Sequence, residues 1–173
     1  CDFYAGYNRL GMLQRCWVHL LRDAKELAEI NADQPEIGAW RTALRDLYQE
    51  AKAFSSPKAR VRRQARRDFE RRAKALAQPY SADAHAPQRL LAQRVLKHLH
   101  EMFVFVTDPA VAADNNLAER SLRPAVIARK ISGGTRSPKG SETQMGLMSL
   151  FGTWAAQKKN LLASCEQLLL ASP

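Results

Sequence analysis

Three stretches hold residues whose types and spacing suit chemistry. The first is Asp114-Asn115-Asn116-Leu117-Ala118-Glu119-Arg120-Ser121-Leu122-Arg123-Pro124. It reads as the opening turns of a helix, with Asp114 or Asn115 able to cap the free amides and Pro124 marking an end or a kink. Glu119 sits about a turn inside, flanked by Arg120 and Arg123. Spacing alone gives it an ion pair with Arg123, worth ~0.2–0.5 kcal/mol. The second stretch, residues 58–74, holds nine Lys or Arg against Asp68 and Glu70, a net +7 of the chain's +10. On a helix Arg60, Arg63, Arg67, Arg71 and Lys74 share one stripe. That stripe is either a solvated face or a surface that tracks phosphates, since lysine and arginine displace counterions from DNA. No aromatic residue is interleaved, so base stacking is not indicated. The third stretch, residues 129–140, carries Arg129, Lys130, Arg136 and Lys139 among glycines. It reads as a flexible loop or as a phosphate contact.

The whole composition points the same way. Lys plus Arg is 27 and Asp plus Glu is 17 in 173 residues, a balance that suits a polyanionic partner. No apolar run reaches the ~18 residues that span a bilayer, and no secretory pattern opens the chain. DNA is therefore the expected partner rather than a membrane. Cys1, Cys16 and Cys165 give neither a zinc spacing nor a disulfide framework, which suits reduced thiols in a cytoplasmic protein. His98 and His100 are two apart and would face different directions on a helix, a poor metal pair. A chain that starts with Cys1 rather than Met reads as a piece of a longer protein or a record that begins mid-gene.

The elements that would position these residues are mostly helices. Residues 13–19 can form a short strand, followed by a helix over about 19–30 with Leu20, Leu21, Ala24, Leu27 and Ala28 as its stripe. Over about 35–55, Ile37, Trp40, Leu44, Leu47, Ala51 and Phe54 recur at alternating steps of three and four. That is the seam of a helix packed lengthwise on a partner. In the charge run, Val61, Ala65, Phe69 and Leu76 fall opposite the basic stripe, so the two segments form an antiparallel hairpin with a basic outer face. A helix is expected over about 87–106, and residues 125–131 read as extended. Ser141 and Gln144 make a capping box for a helix carrying Met145 and Met148 as core filler. Leu161, Leu162, Cys165, Leu168 and Leu169 form a last apolar stripe, a contact for another subunit if nothing in the chain covers it. The count is about six helices and at most two short strands.

Four ordered motifs, covering residues 2 to about 160, resemble the DDE transposases of the insertion sequence sixty-six family. They are Asp2-Phe3-Tyr4-Ala5-Gly6-Tyr7-Asn8, Gln14-Arg15-Cys16-Trp17-Val18-His19-Leu20-Leu21-Arg22-Asp23, Asn115-Asn116-Leu117-Ala118-Glu119-Arg120-Ser121-Leu122-Arg123-Pro124, and Arg129-Lys130-Ile131-Ser132-Gly133-Gly134-Thr135-Arg136-Ser137. The resemblance implies metal-dependent strand cleavage and transfer at insertion-sequence ends. Three carboxylates would converge on two Mg²⁺ or Mn²⁺ ions. It maps the second carboxylate to Asp2 and the third to Glu119, as catalytic residues and metal ligands. The first aspartate is expected upstream of Asp2, so residues 1–173 alone would be catalytically incomplete, with Asp2 frayed.

The implied fold is mainly α as an isolated chain: the C-terminal portion of a ribonuclease H-like α/β core with a long helical insertion. Its expected division is 1–31 core remnant, 32–112 helical insertion, 113–140 glutamate helix and basic loop, and 141–173 C-terminal helices. Expected partners are transposon-end and target DNA and further copies of the transposase, in a cytoplasmic, nucleoid-associated bacterial setting. Two alternatives belong to other classes: a non-enzymatic basic helical DNA-binding or regulatory fragment, and an inactive pseudogene product.

Overall fold

The seam at Ile37, Trp40, Leu44, Leu47 and Ala51 organises the first half of the molecule. All five side chains are buried, on a helix over Pro35–Ala53 that opens with proline, whose missing amide costs nothing there. The computed structural model describes residues 1–171, so the last two positions of the 141–173 segment lie outside it. The chain forms two compact units, Cys1–Asn115 and Asn116–Pro173.

The first unit contains α1 (Trp17–Ile30), α2 (Pro35–Ala53), α3 (Ala59–Ser81), α4 (Arg89–Lys97) and α5 (Val104–Thr107), with 3-10 turns at Ala5–Arg9 and Leu99–Glu101. α2 and α3 run antiparallel, as the Phe54–Phe69 ring contact at one end and the Trp40–Tyr80 contact at the other require. The Trp40 indole N–H donates to the Leu76 carbonyl at 2.9 Å. On the inner face of α3, Phe69, Ala73 and Ala77 are buried. Ala65 and Leu76 are half-buried, whereas Val61 is exposed. An aromatic chain fills the centre. Trp17 stacks on Tyr48 and meets Phe103 edge-on at 5.2 Å, and Phe103 stacks on Phe69 at 6.0 Å.

Two sequence expectations for this unit change. No strand forms among the described residues. The amides of Arg15, Cys16 and Trp17 instead donate to Glu101, Cys1 and Ala113, three separate segments, so no continuous ladder can form, and Trp17 already begins α1. The expected helix over 87–106 is broken into α4, a 3-10 turn and α5. The break has a cause in hydrogen bonding. The Met102 carbonyl accepts from the Trp17 indole at 2.6 Å and from Gln14 Nε2 at 3.0 Å, and the Phe105 amide donates to Gln14 Oε1 at 3.1 Å. Backbone groups that a helix would have paired internally are thereby satisfied across the core.

The second unit holds α6 (Asn116–Ser132), α7 (Pro138–Ala156) and α8 (Leu161–Leu170). None of the residues in these helices is fully buried. α6 runs through Pro124, so residues 125–131 are helical rather than extended. The ring removes one amide donor, but residues 120–124 are exposed, so water can reach the carbonyl left without a partner. Gly133 and Gly134, at φ +68° and +95°, make the turn after α6, a backbone region that glycine enters without steric cost. α7 starts earlier than the Ser141 box suggested: Ser137 caps it, its hydroxyl accepting from the Gly140 amide at 3.0 Å. Met145 is 73% exposed and lines, with Met148, Val126 and Arg129, a cavity of about 300 Å³. It is not core filler. Phe151 and Trp154 meet edge-on at 5.7 Å, with Trp154 half-buried. Asn160 caps α8, on which Leu162 and Leu169 are exposed.

Candidate functional site

Asp2 is not frayed. Its carbonyl accepts from Arg15 Nη1 at 2.9 Å, and its Oδ1 accepts from the Tyr4 amide at 2.9 Å. Next to it, the Cys1 amino group donates to the Gln14 carbonyl at 2.8 Å and the Cys16 amide donates to the Cys1 carbonyl at 2.7 Å. These two bonds flank Arg15 in the pattern of one parallel rung. On the other side, the Phe3 ring lies edge-on to His98 at 5.6 Å, with the Arg94 guanidinium 5.1 Å from its centre. Backbone and ring contacts therefore hold Asp2 from both neighbours.

Behind Asp2 stands a polar cluster that the sequence did not announce. Arg15 is fully buried and donates to Glu101 Oε2 and Asn8 Oδ1, each at 2.5 Å. Glu101 also contacts His98 Nδ1 at 3.1 Å. Burial works to raise the Glu101 pKa, but the hydrogen bonds from Arg15 and His98 and the Arg15 charge outweigh it and hold the carboxyl below its ordinary range. Burial is the main cause that lowers the His98 pKa, against the opposing pull of Glu101.

Glu119 lies in the first turn of α6, half-buried. A carboxylate there is favoured by the positive end of the helix dipole. Arg120 is exposed and donates to the Asn116 carbonyl at 3.3 Å, and Arg123 is exposed too. Asp114 lies 3.6 Å from Lys52 Nζ. Asp2 belongs to the first unit and Glu119 to the second. Their oxygen donors suit a hard divalent cation. Among the described residues, however, no group of three His, Cys, Asp or Glu is placed to hold a metal ion.

The basic helix α3 divides its charges by job. Arg62 donates to the Thr107, Ser56 and Pro57 carbonyls. Arg66 donates to Glu70 at 2.8 Å and to the His100 carbonyl at 2.6 Å. Arg72 forks onto Glu50 at 2.8 and 2.6 Å and lies over the Phe69 ring. The Arg72 bond is the first cause that holds the Glu50 carboxyl below its ordinary range. These three arginines rivet the unit together. Arg60, Arg63, Arg67, Arg71 and Lys74, the expected stripe, are all exposed. Arg71 pairs with Asp68. No ion pair among the described residues holds the other four. Arg63 and Arg67 border an open cleft of about 380 Å³, which Arg66 and His100 also line.

The second basic set is exposed as well, and three of its four members stand on helices rather than in a loop. Arg129 and Lys130 occupy the last turn of α6, where a cation complements the helix dipole. Arg136 lies in the turn and Lys139 in the first turn of α7. No helix among the described residues is long and apolar enough to cross a membrane.

The sequence model of the family described as "Transposase IS66 family" matches residues 1–143, most of the chain. The match spans both Asp2 and Glu119. No curated protein and no solved structure matches.

Proposed function

The chain belongs to the IS66 transposase family, and from that membership we propose that it serves DNA strand cleavage and transfer at insertion-sequence ends. Asp2 and Glu119 would be two of the carboxylates that hold Mg²⁺ or Mn²⁺. When bound, such ions activate the attacking oxygen and stabilise the leaving one. The observation that carries this reading is the family match across both residues. The chain's own part is to present the two carboxylates: Asp2 from a tethered backbone, Glu119 from a helix start. Residues 1–173 tested alone should not cleave, because the reaction needs a third carboxylate besides Asp2 and Glu119. In this reading residues 32–112 are a helical insertion in a ribonuclease H-like core. The exposed stripe on α3 and the cations Arg129, Lys130, Arg136 and Lys139 contact phosphates. The exposed leucines of α8 meet another copy of the transposase. The setting is the bacterial cytoplasm, on the nucleoid.

One observation favours a second reading, a non-enzymatic DNA-binding or regulatory role. The basic stripe sits on a unit with its own core and needs no reactive site to bind DNA. Glu119→Gln and Asp2→Asn separate the two readings. In an intact transposase containing these residues, each should abolish Mg²⁺-dependent cleavage of a transposon end while leaving end binding in place. Cleavage that survives either substitution removes that residue from the reaction. Cleavage by residues 1–173 alone would overturn the incompleteness.

A further inference from the structure

Arg15 has no accessible surface. A guanidinium cannot shed its proton, and a buried charge is tolerated only where acceptors match it. Arg15 meets three, from three segments: Glu101 Oε2, Asn8 Oδ1 and the carbonyl oxygen of Asp2. We propose that Arg15 is a positioning residue for Asp2, its guanidinium oriented by Glu101 and fixing the peptide from which the Asp2 carboxylate projects. The proposal rests on the reading of Asp2 as a reactive-site carboxylate.

The geometry favours a clamp over a general packing role. Arg15 Nη1 is the donor to Asp2's own carbonyl. The rung formed by Cys1 with Gln14 and Cys16 fixes the residue before, and the Phe3 ring against His98 and Arg94 fixes the residue after. Glu101 is common to the arrangement, since it holds both Arg15 and His98. The fork matters as much as the charge. Lysine's three donors share one nitrogen and do not reproduce the spread of the planar fork that reaches acceptors on three segments.

Two measurements test this. The first is hydrogen exchange on residues 1–173. Arg15→Lys should speed exchange of the Cys16 amide, which donates to Cys1, by about tenfold. The Leu44 and Leu47 amides in the middle of α2 should keep their rates. An unchanged Cys16 rate, or a rise matched at Leu44 and Leu47, overturns the clamp. Glu101→Gln keeps the shape and removes the charge that orients Arg15. It should act in the same direction, and it decides the matter if Arg15→Lys does not fold. The second measurement uses an intact transposase containing these residues. Arg15→Lys should raise the Mn²⁺ concentration needed for half-maximal cleavage by about tenfold and leave end binding unchanged. An unaltered Mn²⁺ requirement overturns the positioning role. If Asp2→Asn still cleaves, the reading of Asp2 fails instead, and the exchange rates judge the clamp separately.

Discussion

Replacing Arg60, Arg63, Arg67 and Lys74 together by glutamine tests whether the outer face of α3 meets DNA. All four are exposed, and none forms an ion pair among the described residues. Arg71 is left in place because Asp68 already neutralises it. Arg62, Arg66 and Arg72 are left because they hold the fold. The stripe runs for about 21 Å at the helical rise of 1.5 Å per residue. If each of the four neutralises one phosphate, they account for about 3.6 of the slope of log affinity against log salt. Between 50 and 200 mM salt that slope alone weakens binding about 150-fold, or about 3 kcal/mol. The assay is a fluorescence-anisotropy titration of duplex DNA at four or more salt concentrations. The fourfold variant should lose affinity at low salt and show a shallower slope by three to four, roughly. Glutamine matches lysine and arginine in helix propensity, so circular dichroism should be unchanged. A slope within about one unit of the unsubstituted chain would refute the reasoning and return the stripe to a solvated face.

Three further outcomes follow from the packing. Phe103→Ala removes a fully buried ring that touches Trp17 and Phe69, and should cost about 3–5 kcal/mol in urea unfolding of the first unit. His98 and Glu101 both have lowered pKa values in the folded chain. The native state therefore binds fewer protons than the unfolded one, and stability rises with pH. The His98 contribution is complete above its ordinary value of 6.5 and is lost as pH falls below it; the Glu101 contribution is complete above 4.5 and is lost below. His98→Asn should flatten the upper part of that acid slope in melting temperature measured from pH 8 to pH 4. Pro124→Ala restores an amide inside α6 and should raise the helicity of a peptide spanning 116–132, by a per-residue preference of about 3 kcal/mol.

The parts of the fold that were legible are those where a side chain's class decides its side. The α2 seam was readable because its apolar residues recur with the helix period, and all but Phe54 are buried. The basic stripe was readable for the converse reason. What was missed depends on partners distant in sequence. Nothing in Gln14 announces that its amide bonds Met102 and Phe105, so the break between α4 and α5 could not be placed. Arg15 belongs by type to a surface, and it enters the core because acceptors from residues 2, 8 and 101 converge there. His98 was weighed only against His100, two residues away, and its real partner, Glu101, carries no signal of that pairing in the sequence. Of the end or kink expected at Pro124, the end does not occur: α6 runs through it, on a face where water can satisfy the carbonyl that loses its amide partner. The motif containing Glu119 was legible only through family resemblance, since spacing alone assigned it to Arg123.

The tryptophans give the two units separate optical signatures. Trp17 and Trp40 lie buried in the first unit, while Trp154 lies half-buried on α7 in the second. A soluble quencher should therefore reach one of the three indoles well before the others. Trp154→Phe would leave emission that reports on the first unit alone. Its loss on heating or with denaturant would follow the Trp17–Tyr48–Phe103 stack. Titrating DNA against the unsubstituted chain and that variant would tell which half of the molecule senses the ligand.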